Sequence, residues 1–360
     1  MGRVQTTPSR PPLEFALLQQ GAQTAESVGV LLADFLRPAQ RGVDVAIYDF
    51  LLGESALAPI RAAVDELKAR GVRVRIVYDQ QPPDRRREVP VPVPNAVDHD
   101  MLRSLGVETR AIPGYPDLMH HKYVIRDADA VWTGSTNWMA DSWTLQENLI
   151  VRIASAEIAA DYARDFEELW RTERVPRSGF FTPAWTELRP GLQARPLFSP
   201  GRGHRLSHDI AHAIGRAQRR IRIASPVITS GAILGALADI VREGSVDVAG
   251  IYDASQMEEV NHQWHARQSW KPAAFSAVVA GGRFAAKKTT PWRQGVVTPH
   301  DFMHAKITVA DDTVFVGSFN LSHAGEMNAE NVVEIVDPAT AELCAGFVDR
   351  LLARYGQNAR

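Results

Sequence analysis

The chain has 360 residues, which is long for one core and enough for two domains or two fused repeats. Its formal net charge is −2, with 45% hydrophobic and 23% charged residues. Dedicated nucleic-acid binders usually carry a clear basic excess, so any attraction for phosphate must come from local clusters. The single cysteine cannot form an internal disulfide, and nothing therefore points to an oxidising compartment.

The first twelve residues, MGRVQTTPSRPP, are polar and rich in proline. They lack the apolar stretch of a signal peptide, and no later stretch approaches the roughly 18 apolar residues of a membrane-spanning helix. Gly2 and Thr6 match the loose spacing of a myristoylation signal, but a disordered start explains them equally simply. We therefore expect residues 1–12 to be disordered and the protein to be soluble and cytoplasmic, without a transmembrane segment.

In the first half of the chain, predicted helices alternate with predicted strands. A helix-like segment at 24–40 precedes a β-branched run at 43–50, and a second helix-like run leads to a strand at 71–79 that ends in Tyr-Asp. A proline-rich loop at 80–98 follows, before two adjacent strands within 120–138. Such alternation predicts an α/β fold with mostly parallel pairing.

The second half repeats this order. A helix-like segment at 205–219 precedes a strand at 220–228, and the strand at 245–253 again ends in Tyr-Asp. Between the halves, 173–203 is rich in proline and glycine and has little periodicity, which is typical of a linker. The predicted boundaries are a first repeat at 13–172, the linker at 173–203 and a second repeat at 204–360.

Two motifs carry the repeat most clearly: HHKYVIRDADAVWTGSTNW at 120–138 and HAKITVADDTVFVGSFNLS at 304–322. The second copy has one residue fewer between its Asp and its Gly. A Glu-Asn pair follows ten residues after each motif Asn. The aligned positions are His120 and His304, Lys122 and Lys306, Asp127 and Asp311, Gly134 and Gly317, Ser135 and Ser318, Asn137 and Asn320, and Glu147 and Glu330.

These residue types suit the cleavage of a phosphodiester, which needs a nucleophile, an opposing acid and cations around the phosphoryl oxygens. Two imidazoles, His120 and His304, can hold opposite protonation states near neutral pH. Lys122 and Lys306 would neutralise the phosphoryl oxygens. The predicted hydrogen-bond donors to those oxygens are Asn137, Asn320, Ser135 and Ser318.

The remaining motif residues are predicted to support this chemistry. Glu147 and Glu330 are candidates to hydrogen-bond the far nitrogen of each imidazole and so fix its tautomer. Asx-turn bonds at the strand turns would give both motif aspartates a structural role. Trp138 either lines the mouth of the cleft or packs in the core. The positions expected to be structural are Asp127, Asp311, Gly134 and Gly317.

This constellation resembles the phospholipase D superfamily, whose signature H-x-K-x4-D-x6-G-S-x-N normally occurs twice. The resemblance implies two tandem phospholipase D-like α/β repeats, each a mixed sheet flanked by helices, related by pseudo-two-fold symmetry. It also implies a metal-independent hydrolase or transferase that needs no cofactor and forms a covalent phosphohistidine. Family precedent makes His120 the nucleophile and His304 the acid and base. One chain then holds both half-sites, so a monomer suffices and no obligate dimer is expected.

The substrate stays open between a phospholipid and a nucleic acid. Basic and aromatic residues interleave at 264–271, 283–288 and Trp292-Arg293, in what we expect to be a loop region before the second motif, near the cleft entrance. Together with a further basic patch at Arg85–Arg87, they could contact bases or lipid headgroups. We favour a phospholipid, by headgroup hydrolysis or transfer to an alcohol with peripheral membrane contact, because no basic excess dominates the chain. The alternatives are a nuclease and a non-catalytic phosphate-binding module. A histidine stripe is better explained as a solvated helix face than as a metal site: His204, His208 and His212.

Overall fold

The computed structural model describes residues 11–80, 97–291 and 298–356. Three features singled out from the sequence lie outside these ranges. They are the predicted disordered segment except for its last two residues, the basic patch Arg85–Arg87, and the pair Trp292-Arg293.

The first half contains a sheet, a two-stranded ribbon and the helices that connect their strands. In chain order these elements are β1 (Leu13–Leu18), α1 (Ala25–Leu36), β2 (Gly42–Ile47), β3 (Phe50–Leu51), α2 (Glu54–Ala69), β4 (Arg73–Gln80), α3 (His99–Ser104), β5 (Glu108–Pro113), β6 (Lys122–Arg126), β7 (Ala130–Gly134), β8 (Trp138–Met139), α4 (Ala140–Thr144), β9 (Asn148–Ala154) and α5 (Ala156–Thr172).

The second half repeats the order with small additions. Its elements are β10 (Thr186–Arg189), β11 (Leu192–Ser199), α6 (Gly203–Arg216), β12 (Arg220–Ala224), α7 (Gly231–Glu243), β13 (Asp247–Asp253), α8 (Ala254–Ala266), α9 (Lys271–Gly281), β14 (Arg283–Lys287), β15 (Ile307–Ala310), β16 (Thr313–Gly317), α10 (His323–Met327), β17 (Glu330–Val336) and α11 (Pro338–Gly356).

The two sheets have matching strand orders. The first runs β1-β9-β7-β6-β2-β4-β5, and the second runs β11-β17-β16-β15-β12-β13-β14 with β10 added beside β11. The last three strands of each order pair in parallel, whereas the other described neighbours are antiparallel. The predicted pair of α/β repeats with mixed sheets is confirmed. Antiparallel neighbours outnumber parallel ones among the described strands of both sheets, so the expectation of mostly parallel pairing is wrong. The motif strands β6–β7 and β15–β16 contribute to this difference because they form antiparallel hairpins.

The segment 173–203, predicted as a linker, also supplies strands. Its strand β11 pairs along its length with β17, as β1 pairs with β9 in the first half. Both β10 and β11 of the second sheet therefore lie inside the predicted linker. The sequence pattern hid β11 because Arg195-Pro196 interrupts it, at a point beyond the residues that pair with β10.

The repeats share one core between their sheets. Helices α5 and α11 pack there, with Phe166 and Phe347 among the fully buried side chains. Alternate residues of β7 face opposite sides of its sheet: Val131 joins the shared core, and Trp132 joins the outer core under α1 and α2. Burial on both faces explains why the motif strands read as nearly continuous apolar runs.

Among the residues described, no helix has the combination of length and hydrophobicity required to cross a bilayer.

Candidate active site

The motif aspartates fix the hairpins that carry the histidines. Asp127 lies in the β6–β7 turn with φ +54°, and its carboxylate accepts backbone N–H groups of residues 40–42 at 2.6 to 3.0 Å. Asp311 does the same with residues 218–220. Burial opposes ionisation, but the backbone donors outweigh it and lower the pKa of both carboxyls. The carboxylates therefore tie each hairpin to the loop before β2 or β12, and do not form the Asx-turn bonds we expected.

The motif glycines allow a close strand approach. A Cβ atom on Gly134 would lie 2.2 Å from the carbonyl oxygen of Leu149, and one on Gly317 would lie 2.2 Å from that of Asn331. Gly134 also has φ +145°, which disfavours other residues. A side chain at either position would therefore push the following serine away from the neighbouring strand.

Each motif histidine is held by a residue of the opposite repeat. His120 and His304 are 6% and 8% exposed, so both rings are buried. Nδ1 of His120 lies 2.8 Å from the carboxylate of Glu330. Nδ1 of His304 lies 3.1 Å from Oδ1 of Asn148. In both cases Nδ1–H donates, which leaves Nε2 as the nitrogen available for chemistry.

The partner of His304 is not the residue that the sequence alignment selected. Residues 145–147 connect α4 to β9, whereas residues 328–329 connect α10 to β17, so the first repeat has one extra residue at this point. The backbone hydrogen bonds agree with this shift. The backbone N–H of His120 donates to the carbonyl oxygen of Ala329, and that of His304 donates to the carbonyl oxygen of Glu147. The structural counterpart of Glu330 is therefore Asn148, and the prediction that Glu147 orients an imidazole is wrong.

Glu147 instead joins the repeats by an ion pair. Its carboxylate accepts hydrogen bonds from Lys287 Nζ and from the Tyr355 hydroxyl, both at 2.5 Å. Lys287 and Glu147 are almost fully buried. Burial lowers the pKa of Lys287, although the charge of Glu147 opposes this. The side chain of Glu147 thus stabilises the contact between repeats, while its backbone oxygen holds His304.

The motif lysines are buried cations. Nζ of Lys122 donates to the carbonyl oxygen of His120 at 2.6 Å, and Nζ of Lys306 donates to that of His304 at 2.7 Å. Burial lowers the pKa of Lys122 to about 8, opposed by Glu330 and two aspartates. Burial also lowers the pKa of Lys306 well below its usual value, and Lys122 lowers it further. A bound anion would offset this mutual repulsion.

Both histidines are biased toward the neutral form. Burial lowers the pKa of His120 well below its ordinary value, and the positive charges of Lys122 and Lys306 lower it further. The same causes lower the pKa of His304, with Lys306 ahead of Lys122. Each lysine thus acts on both rings, which shows that the two half-sites form one electrostatic unit. A neutral imidazole with Nδ1–H bonded has its lone pair on Nε2.

The hydroxyl groups of the motif serines are hydrogen-bonded to residues at the starts of the neighbouring strands. The Ser135 hydroxyl donates to Oδ1 of Asn148 at 2.7 Å, and the Ser318 hydroxyl accepts from the N–H of Asn331. Both side chains are fully buried. Their hydroxyls therefore position strands β9 and β17, and the predicted role as donors to substrate has no support in these contacts.

The motif asparagines keep an unsatisfied oxygen. Asn137 donates from Nδ2 to Asp49 at 2.5 Å, and Oδ1 of Asn137 and of Asn320 has no hydrogen-bond partner. Both oxygens are buried. A buried polar atom without a partner is costly, so these positions are suited to rearrangement when a ligand enters.

Similarity to known proteins places this duplicated site in a family. A family model described as "Cardiolipin synthase, PLD-like domain" matches residues 32–170 and 210–352, one match in each repeat. The chain belongs to this PLD-like family, within the phospholipase D superfamily. The family match covers the motif residues of both repeats.

Two curated relatives are named mitochondrial cardiolipin hydrolase. The protein of Xenopus tropicalis is 32% identical over 148 residues, which are 40% of this chain and 61% of the relative. The human protein is 27% identical over 179 residues, which are 48% of this chain and 64% of the relative. The matched regions thus span less than two thirds of the length of either relative.

A solved structure shares the complete PLD-like fold. Phosphatidylserine synthase of Haemophilus influenzae superposes with a TM-score of 0.63 at 13% identity, covering 95% of this chain and 86% of that chain. At this identity the likeness concerns the fold alone.

Two further aspartates support the PLD-like motifs and were missed as site residues. Asp79 is the penultimate residue of β4 and accepts the N–H of Met119 at 2.7 Å, and Asp253 ends β13 and accepts the N–H of Met303 at 3.0 Å. Each thus fixes the residue before a motif histidine. Burial raises the pKa of Asp79 to about 7. The signal was present in the sequence, because both predicted strands end in Tyr-Asp.

Tyr48 is a second residue that the sequence did not identify. Its ring lies edge-on to that of His120, with centroids 4.7 Å apart, and Lys122 Nζ lies 4.8 Å from its centroid. Tyr48 follows the β2 residue that pairs with Lys122. Counting in the same way from β12 and Lys306 gives Pro226 as the equivalent residue of the second repeat. The aromatic ring at this strand position therefore belongs to the His120 side, whereas the ring near His304 is that of Phe302, with centroids 6.5 Å apart.

The aromatic residues proposed to contact substrate are mostly engaged elsewhere. Trp138 is 3% exposed and packs on Phe50, with ring centroids 5.6 Å apart, so core packing holds and the predicted place at the cleft mouth is wrong. Trp264 lies on the buried face of α8, and Lys287 forms an ion pair with Glu147. Trp270 is 56% exposed. These segments form α8, α9 and β14, not the loop we expected.

The other histidines lie away from this chemistry. His204, His208 and His212 occupy the exposed face of α6, where His204 pairs with Glu326. His121 is fully buried between Asp165, 3.0 Å from its Nε2, and Asn331, 3.2 Å from its Nδ1. His121 therefore packs behind the motif strand.

Proposed function

We propose that the chain is a phosphodiesterase that cleaves a P–O bond of a phospholipid through two histidines. The observation that carries this proposal is the reciprocal holding of His120 and His304, each by a residue of the other repeat. Such contacts bring two imidazoles and two lysines into one buried site, which is what in-line displacement at phosphorus requires.

The reaction has two steps. As the anionic diester binds and offsets the charges of Lys122 and Lys306, His304 takes up a proton from solvent at Nε2. His120 Nε2 then attacks phosphorus and forms an N–P bond while the P–O bond to the leaving alcohol breaks, and His304 Nε2 gives that proton to the leaving oxygen. Water then attacks phosphorus, His304 takes its proton, and the N–P bond breaks to release a phosphomonoester and free His120. An alcohol in place of water gives transfer instead of hydrolysis. Lys122 and Lys306 neutralise the non-bridging oxygens in both steps.

The choice of a phospholipid rests on charge and on the names of relatives. The net charge is −2, and a cation proposed for a nucleic-acid groove, Lys287, is paired with Glu147. A polyanionic strand would gain little from such a surface. The family description names cardiolipin synthase, and the curated relatives are named cardiolipin hydrolases. Access to a lipid requires peripheral contact with a membrane surface. The cytoplasmic location and the monomeric state stay predictions.

A parallel assay tests the proposal. Purified protein is incubated with cardiolipin vesicles, phosphatidylcholine vesicles, bis-p-nitrophenyl phosphate and single-stranded DNA, with and without ethanol. We expect turnover of vesicles, a phosphatidyl-alcohol product with ethanol, and loss of both in His120→Ala and His304→Ala. His208→Ala, on the exposed face of α6, is the matched control and should keep the wild-type rate.

Two results would contradict the proposal. Cleavage of DNA alone, with the same loss in both histidine variants, would replace the lipid by a nucleic acid and make the protein a nuclease. Turnover near the wild-type rate in either histidine variant would remove the two-histidine mechanism itself.

A further inference from the structure

The two half-sites differ in the group that holds the histidine. Structurally equivalent positions at the start of β17 and β9 carry Glu330 and Asn148. One histidine therefore has a carboxylate behind it and the other a neutral amide. This difference is invisible in the sequence alignment, which pairs Glu330 with Glu147.

The orientation of the Asn148 amide is fixed by its surroundings. Nδ2 donates to the carbonyl oxygen of Ser142 at 2.9 Å and to Oε1 of Gln146 at 3.1 Å. Gln146 is fixed in turn, because its own Nε2 donates to the carbonyl oxygen of His300. Oδ1 of Asn148 must therefore face His304, and only the tautomer with hydrogen on Nδ1 satisfies it.

We propose that Asn148 is the positioning residue of His304, and that the groups behind the two rings set their roles. The carboxylate behind His120 suits that ring to attack phosphorus, and the amide behind His304 suits that ring to donate a proton. This proposal rests on the proposed function. Burial raises the pKa of Glu330 to about 7, so this carboxyl is ionised above that pH. Attack by His120 places a positive charge on its ring in the phosphohistidine, and the ionised carboxylate at Nδ1 stabilises that charge. A proton donor gains from the opposite setting, since an amide orients the ring without strengthening its hold on the proton.

The charged groups around the two rings are similar, so the residue that contacts Nδ1 is the main difference between the half-sites. His304 faces Lys306 of its own motif and Lys122 and His120 of the other repeat. His120 faces Lys122, Lys306 and His121, with the ring of Tyr48 at its edge. Both rings thus experience the same two lysines. What distinguishes them most is the residue at Nδ1.

The test compares two substitutions on two classes of diester. Asn148→Asp puts a carboxylate behind His304. Once the bound diester has let this ring take up its proton, the carboxylate should hold the proton more tightly and make the ring a poorer acid. We expect it to slow vesicle hydrolysis on the order of tenfold or more, because an alkoxide leaving group needs its proton. The rate with bis-p-nitrophenyl phosphate should change far less, because p-nitrophenolate leaves without one.

Glu330→Gln should behave differently. Loss of the carboxylate behind the nucleophile should slow both substrates by a similar factor, on the order of a hundredfold. Glu147→Gln is the control for the alternative alignment and should leave the ratio of the two rates unchanged. In His304→Ala, bis-p-nitrophenyl phosphate should give a burst of one p-nitrophenol per chain, because attack proceeds and release of the phosphohistidine stalls. His120→Ala should give no burst.

Distinct outcomes separate failure of this proposal from failure of the proposed function. A burst in His120→Ala but not in His304→Ala would reverse the assignment while leaving the enzyme a two-histidine phosphodiesterase. Equal slowing of both substrates by Asn148→Asp, with an unchanged pH profile and a lowered melting temperature, would make Asn148 merely structural. No turnover of any diester by the wild-type protein would overturn the proposed function and this proposal together.

Discussion

The carboxylate of Glu330 lies 2.8 Å from Nδ1 of His120, although the residues are 210 positions apart in the chain. Asn148 and His304 form the reciprocal contact over 156 positions. Neither repeat can therefore orient its own histidine, and the duplication supplies more than a second copy of the motif. The shared core under α5 and α11 is what holds these contacts in register.

The buried pair of Glu147 and Lys287 should contribute strongly to stability. Glu147→Gln leaves the ammonium of Lys287 buried without a counter-charge, so we expect the free energy of unfolding to fall by about 3–5 kcal/mol. Urea denaturation at neutral pH measures the change. Glu54→Gln, which removes an exposed partner of Arg61, is the control and should have no measurable effect. Equal stability of Glu147→Gln and the wild type would contradict the inter-repeat role.

The turn carboxylate of Asp127 should be structural and not catalytic. Asp127→Ala leaves the backbone N–H groups of residues 40–42 without their acceptor, and a loss of about 2–3 kcal/mol of unfolding free energy follows. The kcat of the protein that remains folded should stay near that of the wild type. A drop in kcat without any drop in melting temperature would place Asp127 in the chemistry.

Anion binding should weaken at alkaline pH. The pKa of Lys122 lies at about 8, so its charge is present below that pH and is lost above it. The Kd of tungstate, a tetrahedral dianion in this range, should rise by up to about tenfold per pH unit above pH 8. Isothermal titration calorimetry across this range measures it. Lys288→Met, at an exposed neighbour of Lys287, should leave the curve unchanged, whereas Lys122→Met should remove most of the affinity.

Asp79 should make stability depend on pH in an unusual direction. Its folded pKa of about 7 lies above the ordinary value of 3.8, so the folded state binds more protons between these values. Stability contributed by protonated Asp79 is therefore present at low pH and lost as pH rises through 7, with a slope of at most about 1.4 kcal/mol per pH unit. Asp79→Asn should gain stability relative to the wild type over this window. If the difference in unfolding free energy between the two proteins were the same at every pH, the raised pKa would be contradicted.

The sequence carried the duplication and the motif residues because their chemistry is encoded in residue types at fixed spacing. His120, Lys122 and their counterparts could be found without a structure for this reason. The residue that orients His304 could not be found in this way. Side chains on a strand alternate between faces, so one extra residue before β9 replaces Glu147 by Asn148 at the site. The sequence alignment, which matches Glu-Asn with Glu-Asn, cannot reveal this shift.

Tertiary context decided the other differences. Trp138 stands beside a motif asparagine in the sequence, yet its large apolar ring is accommodated by Phe50 in the core. The run around Trp264 looked like an exposed loop because its basic residues mask the apolar stripe of α8. Asp79 and Asp253 were visible as a repeated Tyr-Asp, but the backbone N–H groups that donate to them lie 40 and 50 positions away, beyond any local pattern.

The most direct test of the central claim is to identify a covalent adduct on the nucleophile. His304→Ala is mixed with bis-p-nitrophenyl phosphate, quenched in alkali and analysed by peptide mass spectrometry. The account predicts a p-nitrophenyl phosphoryl group on His120 and none in the double variant that also carries His120→Ala. Wild-type turnover of the same diester, with no adduct on His120 in His304→Ala and none on His304 in His120→Ala, would contradict the two-histidine account.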